Sequence, residues 1–369
     1  MTLESTFFRL PEISLLKNGE LPKGTGRLRG MIHALTVLLC GHAYLPQIQL
    51  EPVVKTAGVR VDADDPAFWQ RGGVTRIIGT DKGLSPNGGL FSFDAQGRLM
   101  GRVPNLSRPN NVDVAYGLVA GKERWDLAVA TERDKSRLLV CRIMPDGTLV
   151  DVTGKTSVFV GEKGDFAAPM GVAVYSPKQG RVEAVVSPKD GPKTQHLGRY
   201  ELVFNQGKVD ARLISRLGVF SGKGETEAIA IHPGLGVAFH ADEEFGIHAV
   251  DLASGKNLVS FGRTEYPGDR EGMAVWGHYL FSSDQRPREE GGSIVRVYDL
   301  AKTRKGEVRP VLDIITQADS TDGLDVFPGR IDTTFPSGAL AVMNSRDKNF
   351  WVFDLRPILR ELGRVKSLD

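Results

Sequence analysis

From about residue 55 onward, short apolar runs alternate with polar turns along this chain. The runs are rich in β-branched and aromatic side chains, Gly, Asp and Asn separate them, and helical periods are few. Such a pattern predicts strands joined by tight turns. A polar or acidic cluster leading into an apolar strand then recurs six times. The openings are Asp64-Asp65-Pro66-Ala67-Phe68-Trp69, Asn110-Asn111-Val112-Asp113-Val114 and Pro169-Met170-Gly171-Val172-Ala173-Val174. Thr226-Glu227-Ala228-Ile229-Ala230, Arg270-Glu271-Gly272-Met273-Ala274-Val275 and Thr321-Asp322-Gly323-Leu324-Asp325-Val326 complete the set. A second strand follows each opening and ends on polar residues: IIGTDKG (77–83), LAVATERD (127–134), AVVSPKDG (184–191), VAFHADEE (237–244), YLFSSDQ (279–285) and LAVMNSRD (340–347). A third strand alternates and commonly closes on Asp, the last at Asp354.

With Asp64, Asn111, Gly171, Glu227, Glu271 and Asp322 as anchors, the units are spaced 47, 60, 56, 44 and 51 residues apart. A meander repeating at this period predicts an all-β chain folded as a six-bladed β-propeller. In a meander the start of strand one and the end of strand two share an edge. Radial packing therefore gathers the polar clusters on one face. That face should carry Asp64, Asp65, Asp113, Glu227, Asp242, Glu243, Glu244, Glu271, Asp284, Asp322, Asp325 and Asp347, with Lys82, Arg133 and Lys189 among them.

Composition narrows the chemistry. Gly 43 and Pro 20 suit a turn-rich fold. Lys+Arg 47 against Asp+Glu 45 leaves +2, no electrostatic footprint for nucleic acid. Cys 2 excludes a disulfide scaffold and any multi-Cys metal centre. The seven His show no metal-ligand spacing, and His232, His240 and His248 read as structural. Convergent carboxylates must find cations or hold protons. Hard oxygen donors without Cys favour Ca²⁺ or Mg²⁺ over zinc. Lys and Arg beside such ions suit phosphate. Asp at a blade turn also bonds its own backbone, and Asp94, Asp146, Asp299 and Asp354 are read that way. No P-loop, G-x-S-x-G elbow or dinucleotide fingerprint occurs.

At these residues the sequence resembles the β-propeller phytases, the alkaline calcium-dependent family. The carrying elements are VDADDPAFW (61–69), PNNVDVAYG (109–117), GETEAIA (224–230), ADEE (241–244), REGMAV (270–275) and STDGLDV (320–326). The resemblance implies several Ca²⁺ ions and hydrolysis of phytate (myo-inositol hexakisphosphate) by direct attack of a metal-bound water. By motif it implies that Glu227, Glu243 and Glu271 hold calcium at the cleavage site, with Asp65, Asp113, Asp322 and Asn344 as further ligands. Arg133, Lys189 and Lys82 would bind phosphate, with Asp190 beside them. Met170 stands where the family commonly has Tyr. Two other classes stay open: another calcium-dependent propeller hydrolase (a lactonase or phosphodiesterase), and a non-catalytic propeller binding module.

Residues 31–40 (MIHALTVLLC) are the most apolar run, too short to span a membrane. Preceded by Lys and Arg and followed by Gly41-His42-Ala43, the run suits a signal peptide. The expected organisation is an N-terminal extension over 1–43 and one propeller domain over 44–369. A secreted or periplasmic, monomeric protein without membrane association in its mature form is expected.

Overall fold

The antiparallel meanders follow from the alternation: each short run buries one face, and a Gly- or Asp-led turn reverses the chain. The computed structural model describes residues 45–366; the signal-peptide expectation lies outside the described residues. Among the described residues there are six sheets, five of them wholly antiparallel, and the protein is a six-bladed β-propeller. Blade 1 comprises Ala63–Arg71, Val74–Asp81, Gly88–Phe93 and Leu99–Leu106, from axis to rim. Blade 2 follows with Pro109–Ala120, Glu123–Glu132, Arg137–Ile143 and Leu149–Asp151. Blade 3 has Pro169–Tyr175, Val182–Pro188, Thr194–Asn205 and Lys208–Val219, and blade 4 has Ile229–His232, Val237–Asp242, Gly246–Asp251 and Asn257–Phe261. In blade 5, Met273–Trp276, Tyr279–Asp284, Ile294–Asp299 and Arg309–Ile315 are joined at the rim by Gln47–Gln49, running parallel. Blade 6 draws three strands from the end of the chain, Leu324–Phe327, Ala339–Asn344 and Asn349–Asp354. Its fourth is Val54–Lys55, from near the start.

Each innermost strand packs on the next, and that of blade 6 packs on that of blade 1, so the ring is closed. The core is divided accordingly into six apolar clusters, each between two neighbouring blades. Trp69 of blade 1, fully buried, sits with Ala128, Leu139 and Cys141 of blade 2 and donates from Nε1 to Asp126 Oδ2 (2.9 Å). A fully buried leucine such as Leu139 contributes roughly 1.5–3 kcal/mol by burial. Near the axis the blades approach backbone to backbone. A Cβ on Gly171 would lie 1.9 Å from the Glu227 carbonyl oxygen of blade 4, and one on Gly323 would lie 2.2 Å from Asp65 Oδ1 of blade 1. Glycine is required at both places by the close approach. Hydroxyls at the ends of the second strands tie the ring further. Thr131 Oγ1 donates to Met170 O (2.6 Å) and Ser187 Oγ to Thr226 O (2.5 Å).

The helix Leu355–Lys366 packs Leu355, Ile358 and Leu362 into the cluster between blades 5 and 6. Among the described residues no helix is long and apolar enough to cross a membrane.

Candidate active site

Strand register fixes which residues are equivalent. Pro66, Val112, Val172, Ile229, Met273 and Leu324 pair respectively with Gly79, Ala130, Val186, His240, Ser282 and Val342. Two residues before them stand Asp64, Asn110, Met170, Glu227, Glu271 and Asp322, one per blade at the same height. This moves the sequence anchors Asn111 and Gly171 back by one residue, to Asn110 and Met170; the innermost strands of blades 1, 2 and 3 each carry a bulge at their start. Three residues past the paired position on each second strand stand Lys82, Arg133, Lys189, Glu243, Gln285 and Ser345. The face is thus polarised. The inner row is acidic on blades 4, 5, 6 and 1, and the outer row is basic on blades 1, 2 and 3.

One residue short of the outer row lie Asp81, Glu132, Asp242, Asp284 and Asn344, all fully buried. Each locks the loop entering its own or a neighbouring first strand. Asp81 accepts from the Arg60, Val61 and Asp62 amides at 2.8–3.0 Å, and Asp242 from Ser221 N (2.6 Å) and Oγ (2.7 Å). Asp284 accepts from Gly268 N (2.9 Å) and the Arg286 guanidinium. Asn344 accepts from Asp319 N (3.0 Å) and donates to Asn349 Oδ1 (3.2 Å). The structure therefore gives Asn344, expected as a metal ligand, to this loop-holding row.

Lys82 Nζ bridges Asp64 Oδ1 (2.9 Å) and Asp322 Oδ2 (2.5 Å), and Gln285 Nε2 donates to Asp322 Oδ1 (2.5 Å). Arg133 donates to Asn110 Oδ1 (2.6 Å) and comes 3.8 Å from Glu227 Oε1. Lys189 Nζ lies 3.1 Å from Glu225 Oε1, and the Glu225 amide donates to Glu243 Oε2 (2.7 Å). Glu225, Glu227 and Glu243 can each bring a carboxylate oxygen within 4.8 Å of the others. Glu225 was not anticipated. Its signal is the Glu-Thr-Glu alternation in GETEAIA, which places Glu225 and Glu227 on one side of an extended segment. Arg270 was also missed. It is buried, stacks on Tyr266, and donates to the carbonyls of Gly262 (2.7 Å), Arg263 (3.1 Å) and Glu243 (2.6 Å). It thereby joins the blade 4 strand end to the blade 5 opening beside Glu271.

Charge in this cluster is under-compensated by the chain itself. Burial, with Asp64 adding, pushes Glu227 up to about 7 although Lys82 and Arg133 pull it back. Burial and the carboxylates around it raise Glu243 to about 7. Burial and the charges of Glu227, Asp322 and Glu243 hold Glu271 well above the usual carboxylate range, and burial does the same to Asp322 despite Lys82. Glu271 Oε2 is buried without a hydrogen-bond partner. An orphaned carboxylate oxygen among hard oxygen donors fits a calcium-sized dication.

Over residues 43–349 the sequence matches the profile of the Phytase family. The chain belongs to the phytase family. The 3-phytase of Bacillus subtilis (strain 168) is 23% identical over 349 residues, 83% of this chain and 82% of that protein. Similar solved structures include a protein from Lactobacillus plantarum (TM-score 0.48, 15% identity, 79% of this chain and 80% of that one). The RRP9 WD40 repeats match with a TM-score of 0.47 and 10% identity, over 78% of each chain.

Within this phytase-family chain the expected residues part company. Glu227, Glu243, Glu271, Asp322, Arg133, Lys82 and Lys189 meet on the face. Asp65 and Asp113 do not join them: with Asp325 they line the axial channel and accept backbone amides. Val112 N donates to Asp65 Oδ2 (3.0 Å), Val174 N to Asp113 Oδ2 (2.7 Å) and Phe68 N to Asp325 Oδ2 (2.7 Å). Each contact runs from one blade to the next. Asp190 is exposed and accepts from its neighbour Gly191 N (2.6 Å). Met170 is fully buried, so blade 3 offers the face no polar side chain at the inner-row position. Asp94, Asp146, Asp299 and Asp354 each accept a turn amide two residues on, as expected.

Proposed function

We propose that this protein is a calcium-dependent phosphomonoesterase that hydrolyses phytate. The observation that carries the reading is the polarised face: a compact carboxylate cluster on blades 4 and 5 beside a row of cations on blades 1, 2 and 3. Phytase-family membership and the Bacillus 3-phytase relative support the substrate class. Glu227, Glu243 and Glu271, with Glu225, would hold calcium. Bound there, calcium would draw phosphoryl oxygens and acidify a coordinated water, which supplies the nucleophile without a side-chain Ser or Cys.

The chain's own residues do the rest. Asn110 and Glu227 hold the Arg133 guanidinium at the border between cations and carboxylates, where its fork of donors suits two phosphate oxygens. Lys189, partly exposed, adds a second charge on the same side. Lys82 spends its ammonium on Asp64 and Asp322, so its main effect is to screen those carboxylates from each other. The closed ring keeps donors from several blades in register without reorganisation, which favours charge stabilisation in the transition state. A single propeller domain from residue 44, behind a cleaved leader, and a secreted or periplasmic monomer complete the reading.

Phosphate release from phytate near neutral pH, with added Ca²⁺ and separately with EDTA, tests the proposal. Release that requires Ca²⁺ is expected. A folded, calcium-binding protein that releases no phosphate would sink it.

A further inference from the structure

Every cation of the basic row is engaged by a face carboxylate: Lys82 by Asp64 and Asp322, Arg133 by Glu227, and Lys189 by Glu225. The third pair differs from the others. Glu225 belongs to the compact cluster with Glu227 and Glu243, yet its ion-pair partner among the described residues is Lys189 of the basic row. Its main chain is fixed at both ends of one residue: its amide donates to Glu243 Oε2 (2.7 Å) and its carbonyl accepts from Glu243 N (3.2 Å). Its side chain is 30% exposed and that of Lys189 29%, so the carboxylate can change partners without moving the backbone. Lys189 is likewise anchored by its own amide, which donates to Ala168 O (2.8 Å).

We propose that the Lys189–Glu225 ion pair is a latch that couples cation binding to phosphate recognition. A dication attracted to Glu225, Glu227 and Glu243 competes with Lys189 for the Glu225 carboxylate and frees the Lys189 ammonium for a phosphoryl group. The inference deepens the phytase reading and rests on it. An exposed ion pair is weak and a dication at a carboxylate cluster is not, so the exchange runs toward the cation. Linkage makes the effect reciprocal: a phosphorylated ligand that holds Lys189 leaves Glu225 free and raises cation affinity by the same factor.

The test is a double-mutant cycle read as phytate affinity by calorimetric titration in EDTA. The four proteins are the wild type, Glu225→Gln, Lys189→Met and the double variant, each checked for unchanged melting. The latch predicts that Glu225→Gln tightens phytate binding about two- to fivefold, the size of an exposed ion pair, and that this gain disappears in the Lys189→Met background. An equal gain in both backgrounds overturns the latch, because it reports only the loss of a nearby negative charge. Failure of the wild type to bind phytate with Ca²⁺ present overturns the proposed substrate instead. The latch is then still read in Ca²⁺ affinity, where Lys189→Met should tighten binding only when Glu225 is intact.

Discussion

Two groups of buried carboxylates, one in the axial channel and one on the face, behave in opposite ways. Asp113 and Asp325 in the channel each accept two amides, one from the next residue and one from the neighbouring blade. Glu227, Glu243 and Glu271 on the face meet other carboxylates, and Glu271 keeps an oxygen with no partner. Burial raises the protonation range of both groups, to about 7 for Asp113 and about 6 for Asp325, so burial does not distinguish them. Partners do. A carboxylate whose oxygens are filled by backbone amides holds blades together, whereas one that faces like charge is available to a cation.

The sharpest break of this comparison is Glu271→Gln. It should lower calcium-dependent phosphate release by about 10²–10³-fold while leaving melting in EDTA unchanged or higher, because a buried repulsion is removed. Lower melting in EDTA would move Glu271 into the structural group. Arg133→Ala should cost about tenfold to a hundredfold in kcat/KM, the range for charge-assisted hydrogen bonds, with calcium-induced stabilisation preserved. Asp113→Asn should do the reverse. An amide offers one acceptor where Val114 N and Val174 N need two, so stability should fall by about 1–3 kcal/mol with activity per folded molecule retained. Denaturant melts beside active-site-normalised rates separate the two outcomes.

The smallest effect is on pH. Glu227, Glu243 and Asp113 are protonated in the folded chain up to about 7, far above the unfolded carboxylate range. A raised folded value favours the native state below it, and that stability is lost as pH rises through it. Calcium-free protein should therefore lose stability on the order of 1 kcal/mol between pH 6.5 and 8, and added Ca²⁺ should restore more at pH 8 than at pH 6.5. The buried histidines act elsewhere. Burial pushes His196 down to about 4 and, with the neighbouring imidazoles, holds His240 well below its ordinary range, so their cost appears only below the ordinary imidazole range. A calcium-free melting temperature that climbs from pH 6.5 to 8 would contradict the face assignment.

The blades and the polarised face were legible because both rest on local pattern. Alternating runs mark strands, and a meander puts first-strand starts and second-strand ends on one edge. What stayed illegible was partner choice. Asp242, Asp284 and Asn344 look like Glu243 in the sequence, yet one residue of register turns them inward onto loop amides. Asp65 follows Asp64 directly and Asp113 follows Asn110 by three residues, but both accept amides from the next blade and line the channel. Glu225 and Arg270 escaped notice because their value comes from contacts with distant residues, Lys189 for one and the Glu243 carbonyl for the other.

The seam of the ring has a consequence for how the molecule is made. Blade 6 takes its rim strand, Val54–Lys55, from the beginning of the chain and its other three strands from the end. The first five blades can assemble in the order of synthesis, but the sixth has no complete sheet until the last strand, Asn349–Asp354, has emerged. The segment around residue 54 must therefore wait for a partner made about three hundred residues later. A circularly permuted chain that opens at another inter-blade turn and joins the present ends would make that clasp local, and would move the obligatory last step of assembly to whichever blade was cut.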